Sequence, residues 1–194
     1  MILIVGLGNP GRSFKNTPHN LGFTVIDRFR KHHHLPGFVK KGKALVSQGN
    51  IDGQEIILAK PLTFMNESGR AVSKLVEDHQ IQLEQLWLAH DDADLPLGTI
   101  KIDNNRSSGG HKGVASVIEF LKTKNFQRIR LGAATIKRKD LKEFVLKPYG
   151  RNERAEIRKM IEQAIIEIDK YYLKRTGIKP AFYPRDYLQA LEHD

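Results

Sequence analysis

Two short polar runs near the start of the chain carry residue types suited to acid–base chemistry: Gly6-Leu7-Gly8-Asn9-Pro10-Gly11 and Thr17-Pro18-His19-Asn20. A histidine can move protons near neutral pH. Glycines directly after a buried strand let the backbone approach a ligand, because they carry no Cβ. A third run, His90-Asp91-Asp92-Ala93-Asp94-Leu95-Pro96, adds carboxylates. No G-x-S-x-G elbow is present and the chain has no cysteine, so the candidate set holds no protein nucleophile. A histidine, an aspartate and asparagines suffice to hydrolyse an ester with water. The imidazole takes a proton from water, the carboxylate holds its tautomer, and amide N–H groups bind the developing oxyanion.

Other chemistries compete for the same residues. Gly6, Gly8 and Gly11 match the G-x-G-x-x-G spacing of dinucleotide-binding folds, which requires a helix opening inside the motif. Pro10 lies within the motif, and a helix begun at Gly8 would meet Pro18 in its interior, costing about 3 kcal/mol. The carboxylates from Asp91 to Asp94 suit a hard cation such as Mg²⁺, but no histidine pair at helical spacing accompanies them. The run His32-His33-His34 reads as a solvated helix end. Asn66 could cap the helix that follows it, and Asn9 could simply serve a turn.

The elements that must position these residues alternate along the chain. Residues 2–6 are a continuous apolar run, expected as a buried strand, and 20–31 form an amphipathic helix. Strands are expected at 44–48 and 55–59, joined through Asp52-Gly53, a hairpin signal that implies antiparallel pairing. A helix over 68–78, a strand over 85–89 ending in the polar run, a strand over 99–102, a helix over 114–121 and a strand over 128–133 follow. From Glu153 to Lys174, Ile157, Met160, Ile161, Ala164, Ile165, Ile168 and Tyr172 recur at helical spacing. The pattern predicts an α/β fold: a single layered domain over residues 1–194, with a twisted mixed β-sheet flanked by helices.

Composition narrows the partners. Lys and Arg number 32 against 22 Asp and Glu, a formal charge of +10, which favours polyanions and nucleic acid before membranes. No apolar run approaches the roughly 18 residues of a membrane span, and the first apolar segment has no basic residues before it, unlike a secretory signal. The expectation is a soluble, cytoplasmic protein.

Taken in order, Gly6-Leu7-Gly8-Asn9-Pro10-Gly11, Thr17-Pro18-His19-Asn20-Leu21-Gly22, Lys60-Pro61-Leu62-Thr63-Phe64-Met65-Asn66-Glu67-Ser68-Gly69, His90-Asp91-Asp92-Ala93-Asp94-Leu95-Pro96 and Gly109-Gly110-His111-Lys112-Gly113 resemble the bacterial peptidyl-tRNA hydrolases. The resemblance covers almost the whole chain. It implies cleavage of the ester between a peptide and the 3′ ribose of tRNA, without metal or other cofactor, by a monomer. It implies His19 as the general base, Asp91 as its orienting partner, and Asn9 and Asn66 as groups that hold and polarise the peptide. Phe14 and Met65 would wall the cleft, with Gly110, His111 and Lys112 also on the substrate. Lys101 and Arg130 would grip the 5′-phosphate of tRNA, a charge-assisted contact suited to both residue types. Lys137-Arg138-Lys139 with Lys170, Lys174 and Arg175 could extend a sequence-independent footprint, and the segment 137–147 is a candidate lid.

Four places depart from the family pattern. Pro18 replaces an arginine before the histidine, and Phe14 replaces a tyrosine. Lys112 replaces a substrate-contacting asparagine, exchanging an amide that donates and accepts for an ammonium that only donates. That last change raises the alternative of a weakened homologue acting as an RNA- or partner-binding module. The run Arg130-Leu131-Gly132-Ala133-Ala134-Thr135 also lacks the family's second glycine.

Overall fold

Alternating apolar side chains on the first strand decide the layering. Strand β1 (Ile2–Gly6) is buried throughout. Ile2 and Ile4 enter one core cluster, and Leu3 and Val5 enter another. A strand covered on both faces reads as a continuous apolar run, which is why no polar alternation appears here. The computed structural model describes residues 1–134, 145–151 and 153–176, the last five of these as helix backbone.

Strands β2 (Val39–Lys41), β3 (Ala44–Ile51), β4 (Gln54–Pro61), β5 (Leu86–Pro96), β6 (Ile100–Asp103) and β7 (Gln127–Ala134) join β1 in one sheet. Its order is β2-β3-β4-β1-β5-β7-β6. The central pairs β1–β4, β1–β5 and β5–β7 are parallel, and the outer pairs are antiparallel, so the sheet is mixed as predicted. The β3–β4 hairpin turns at Asp52-Gly53 with φ of 47° and 83°, and Asn50 Oδ1 accepts from the Gly53 N–H at 2.8 Å. Positive φ at both loop positions matches the right-handed twist of the flanking strands.

Helices α1 (Leu21–His32) and α4 (Glu153–Thr176) cover one face of the sheet, through Val25, Ile26 and Phe29 and through Met160, Ile161 and Ile165. Helices α2 (Ser68–Asp78) and α3 (Lys112–Leu121) cover the other, through Val72, Leu75, Val114 and Val117. The parallel strands β1, β4 and β5 end on a common edge, and the loops leaving them carry the polar runs. Ligands bind outside this edge in open α/β sheets.

Three expectations need correction. Gly6 and Gly8 of the first motif are kept bare by the chain itself. A Cβ on Gly6 would strike the Gly22 carbonyl, and one on Gly8 would strike the Phe23 ring at 2.7 Å. Their bareness seats the start of α1 on the end of β1 and thereby places His19. The polar run His90–Asp94 lies within β5, not after a strand ended at residue 89, and pairing with β7 shifts register only between Asp92 and Pro96. The third concerns His33, which is not a solvated helix end. Its Nε2 lies 2.9 Å from Asp169 Oδ1, and the two side chains are 7% and 0% exposed. The proposed lid over 137–147, the Lys137–Lys139 run, the side chains of Tyr172, Lys174 and Arg175, and the tail after Gly177 fall wholly or mostly outside the described residues.

Candidate active site

His19 belongs to a short 3-10 turn, Pro18–Asn20, that leads into α1. Pro18 opens that turn, a position where a missing N–H costs nothing, so the backbone accommodates it. The His19 N–H donates to the Val145 carbonyl at 3.1 Å, fixing the turn from outside.

Asp91 projects from β5 beneath the imidazole. His19 Nδ1 lies 2.9 Å from Asp91 Oδ2 and 3.0 Å from Oδ1. An ionised carboxylate only accepts, so Nδ1 carries the proton and Nε2 keeps its lone pair for water. A second imidazole completes the arrangement: His111 Nε2 lies 2.9 Å from Asp91 Oδ1. The Val114 N–H donates to His111 Nδ1 at 3.2 Å, which places the His111 proton on Nε2, facing Asp91. Burial alone would raise the Asp91 pKa, but the His111 and His19 imidazoles outweigh it and hold the carboxyl well below its ordinary range.

His90 stands behind them, its ring 4.9 Å from that of His111. Its Nδ1–H donates to the Asp91 carbonyl at 2.7 Å. Burial, with His111 adjacent, pushes its pKa down to about 3, so it is neutral at pH 7.

Asn9 is buried and tied in twice. Asn20 holds its backbone reciprocally, accepting from the Asn9 N–H at 2.8 Å and donating to the Asn9 carbonyl at 3.0 Å. Asn9 Oδ1 accepts from the Met65 N–H at 2.8 Å. With Oδ1 engaged, Nδ2 is the group Asn9 can present. Asn66 is exposed within the 3-10 turn Met65–Glu67, and Glu67 rather than Asn66 precedes α2.

His19, Asp91, Asn9 and Asn66 line a cleft of about 580 Å³, shared with Phe14, Met65, Gly110, His111 and Lys112 and flanked by exposed Phe64 and Leu146. Gly109 and Gly110 take φ of 57° and 81°, the left-handed turn that delivers His111 to Asp91. Lys112 is exposed at the first position of α3. The sequence brought His19, Asp91, Asn9, Asn66, Phe14, Met65, Gly110, His111 and Lys112 to one site, and the structure gathers all nine.

Lys101 and Arg130 stand apart, opposite one another across β6 and β7. Lys101 is exposed. Arg130 is 6% exposed, with Nε donating to Asp92 at 2.7 Å and Nη1 to Asp103 at 2.8 Å. Its guanidinium therefore joins two carboxylates inside the protein, which departs from the expectation of an open phosphate grip. Arg128, two residues earlier on the strand, donates to the carbonyls of Arg106 and Ser107 and so ties down the loop before Gly109. Sequence reading missed Asn20, His90 and Arg128. Asn20 stood in the His19 motif and His90 beside Asp91, and these positions were the available signal. Arg128 offered none.

His19, Asp91 and His111 present ligand atoms within 4.8 Å of one another, close enough for a cation. Their protons fit one poorly. Both imidazoles direct an N–H at the carboxylate, and a metal would have to displace these protons and break the Val114 bond that sets the His111 tautomer.

A carboxylate-oriented imidazole, amide donors and a largely apolar cleft at the strand ends of an α/β sheet define a hydrolase-type site. The chain matches the family described as peptidyl-tRNA hydrolase over residues 3–182. It is 43% identical to the peptidyl-tRNA hydrolase of Aquifex aeolicus over 164 residues, 84% of this chain and 85% of that one. It is 44% identical to that of Thermodesulfovibrio yellowstonii over 170 residues, covering 87% and 90%. The solved peptidyl-tRNA hydrolase of Acinetobacter baumannii superposes with a TM-score of 0.83 at 30% identity, covering 91% of this chain and 89% of that one. The chain belongs to the peptidyl-tRNA hydrolase family.

Proposed function

We propose that the protein hydrolyses the ester joining a peptide to the 3′ ribose of tRNA, returning free tRNA to translation. The observation that carries this reading is the His19 imidazole, anchored through Nδ1 at 2.9 Å from Asp91 with Nε2 left for the cleft. In the reaction, Nε2 takes a proton from water as its oxygen attacks the ester carbonyl. Asn9 and Asn66 amide donors stabilise the tetrahedral oxyanion. The C–O bond to the ribose then breaks, and the ribose oxygen takes the proton from His19. His111 keeps the second oxygen of Asp91 occupied, so the carboxylate stays ionised and holds one imidazole tautomer. Phe14, Met65 and Gly110 wall the peptide, and Lys112 offers it a donor. Lys101 meets the 5′-phosphate of tRNA, with Arg130 bracing the strands behind it.

The same reading takes residues 1–194 as one domain, a cytoplasmic monomer. One sheet spans Ile2 to Ala134, translation supplies the substrate in the cytoplasm, and no described helix is long and apolar enough to cross a membrane. Single-turnover release of peptide from an N-blocked aminoacyl-tRNA, with EDTA present, tests the assignment. Release is expected at an undiminished rate. No release at high enzyme concentration would favour the RNA- or partner-binding module, and loss on adding EDTA would establish a metal requirement.

A further inference from the structure

A second cavity, about 210 Å³, lies between α1, α4 and the segment 145–151. Its charged lining residues are Arg28 of α1 and Arg154 and Arg158 of α4, and no carboxylate lines it among the described residues. The geometry follows from helical spacing. Leu21, Thr24 and Arg28 share one stripe of α1, while Arg154, Ile157, Arg158 and Ile161 share the facing stripe of α4. Like charges at i, i+4 destabilise a helix, and a third arginine across the cavity adds to that repulsion.

The acidic residues nearby do not relieve it. Glu153 Oε2 accepts from the Gly150 N–H at 2.6 Å, and Glu156 lies against Gly98. None of the three arginines joins an ion pair among the described residues, and all three are exposed. Three guanidinium groups around one recess, without an internal anion, are matched to the oxygens of a phosphate group.

The recess also shares its wall with the cleft. The His19 N–H bonds the Val145 carbonyl, and the Tyr149 N–H bonds the Asn16 carbonyl at 2.9 Å, fastening segment 145–149 to segment 16–19. His19, Val145 and Leu146 face the cleft, whereas Asn16, Thr17 and Tyr149 face the recess. A nucleic acid whose 3′ end enters the cleft can therefore lay its backbone against this flank.

We propose that Arg28, Arg154 and Arg158 form a phosphate subsite that holds the tRNA backbone beside the cleft. The inference rests on the tRNA substrate assigned above. The test compares the wild-type chain with the triple variant Arg28→Gln/Arg154→Gln/Arg158→Gln, by anisotropy of labelled deacylated tRNA across a salt series. Affinity is expected to fall about tenfold at low salt, and the slope of log K against log salt to shrink by about 0.7–0.9 for each phosphate that the variant leaves unneutralised. Peptide release from full-length substrate should fall about tenfold more than release from a short CCA-ended ester. Circular dichroism and the Tm verify that the variant is folded.

Unchanged tRNA affinity and slope in the folded variant would overturn the proposal. So would inorganic phosphate binding to the wild type, abolished in the variant, with tRNA affinity unaltered, because the recess would then serve free phosphate alone. The binding measurement involves no catalysis. Wild-type protein that bound tRNA without releasing peptide would refute the hydrolase reading while leaving this one standing.

Discussion

Among the described residues two buried aspartates each hold a histidine at the same distance, and only one of them has the surroundings of a reaction centre. His19–Asp91 and His33–Asp169 both span 2.9 Å, with aspartates 1% and 0% exposed. His33 follows α1 and uses Nε2 to reach Asp169 of α4, with its ring centroid 4.4 Å from that of Phe29 and the two planes tilted by 47°. There the pair stitches two helices together. His19 uses Nδ1 and opens on a cleft that also contains two asparagines, and its carboxylate is shared with a second imidazole. A carboxylate beside a histidine is thus insufficient for acid–base chemistry. The second nitrogen needs a reactant to act on and donors to receive the charge that develops.

The sharpest way to separate the pairs is to break each one. His19→Ala should slow single-turnover peptide release by about 10²–10⁴-fold, the usual span for a lost general base. It should disturb stability less than its burial suggests, because Asp91 keeps His111. Turnover at the wild-type rate in a folded variant would remove His19 from the reaction. Asp91→Asn should cost a similar factor for a different reason. Two imidazole N–H groups point at one carboxylate, and an amide can accept from only one side, so one ring must change tautomer or lose its bond. Imidazole ¹⁵N shifts would reveal that change, and their constancy would contradict it.

His33→Ala should do the opposite. Removing one buried partner of Asp169 should cost roughly 3 kcal/mol in denaturant unfolding, with release per folded molecule unaltered. A large loss of activity without a loss of stability would mean that the α1–α4 pair communicates with the cleft.

The contrast also marks what could be read from the residues. Six of the seven strands and all four helices of the described chain follow apolar periodicity and turn chemistry, and the hairpin at Asp52-Gly53 is legible from two residues, whereas the exposed edge strand β2 carries no apolar pattern. The site residues are legible as short ordered motifs. Relations set by tertiary approach are not. His33 looks like a solvated helix end until α4 brings Asp169 over it, 136 residues away. Arg130 looks like an open phosphate grip until Asp92 and Asp103 arrive from two other strands. The polar run at residues 90–94 breaks the apolar pattern expected of a central strand, yet it continues β5, because three imidazoles and an arginine satisfy it.

His90 gives the reaction centre a pH signature. In the folded chain its pKa is about 3 against an ordinary value of 6.5. Between those values the unfolded chain binds the extra proton, so the contribution of His90 to stability is full above about pH 6.5 and is lost as pH falls towards 3. His90→Gln should flatten the stability profile across that window, as read by urea unfolding at a series of pH values. An unaltered slope would show that another group carries it. Once the pH falls into the ordinary carboxylate range, Asp91, also held low in the fold, adds its own loss, because the unfolded chain then binds a proton that the folded chain does not.

The smallest effect should come from the position where the chain departs most visibly from its family. Lys112 lies on the cleft wall, exposed and at the start of α3, and it takes no part in the hydrogen bonds joining His19, Asp91 and His111. Its ammonium can donate to a peptide carbonyl as an asparagine can, but it cannot accept from a peptide N–H. Lys112→Asn should therefore change kcat/KM by less than about tenfold, with the change in KM, as expected for binding shared by ground and transition states. A hundredfold change in kcat would place Lys112 among the groups acting on the reacting ester, and the boundary between the reaction centre and its wall would have to be redrawn around it.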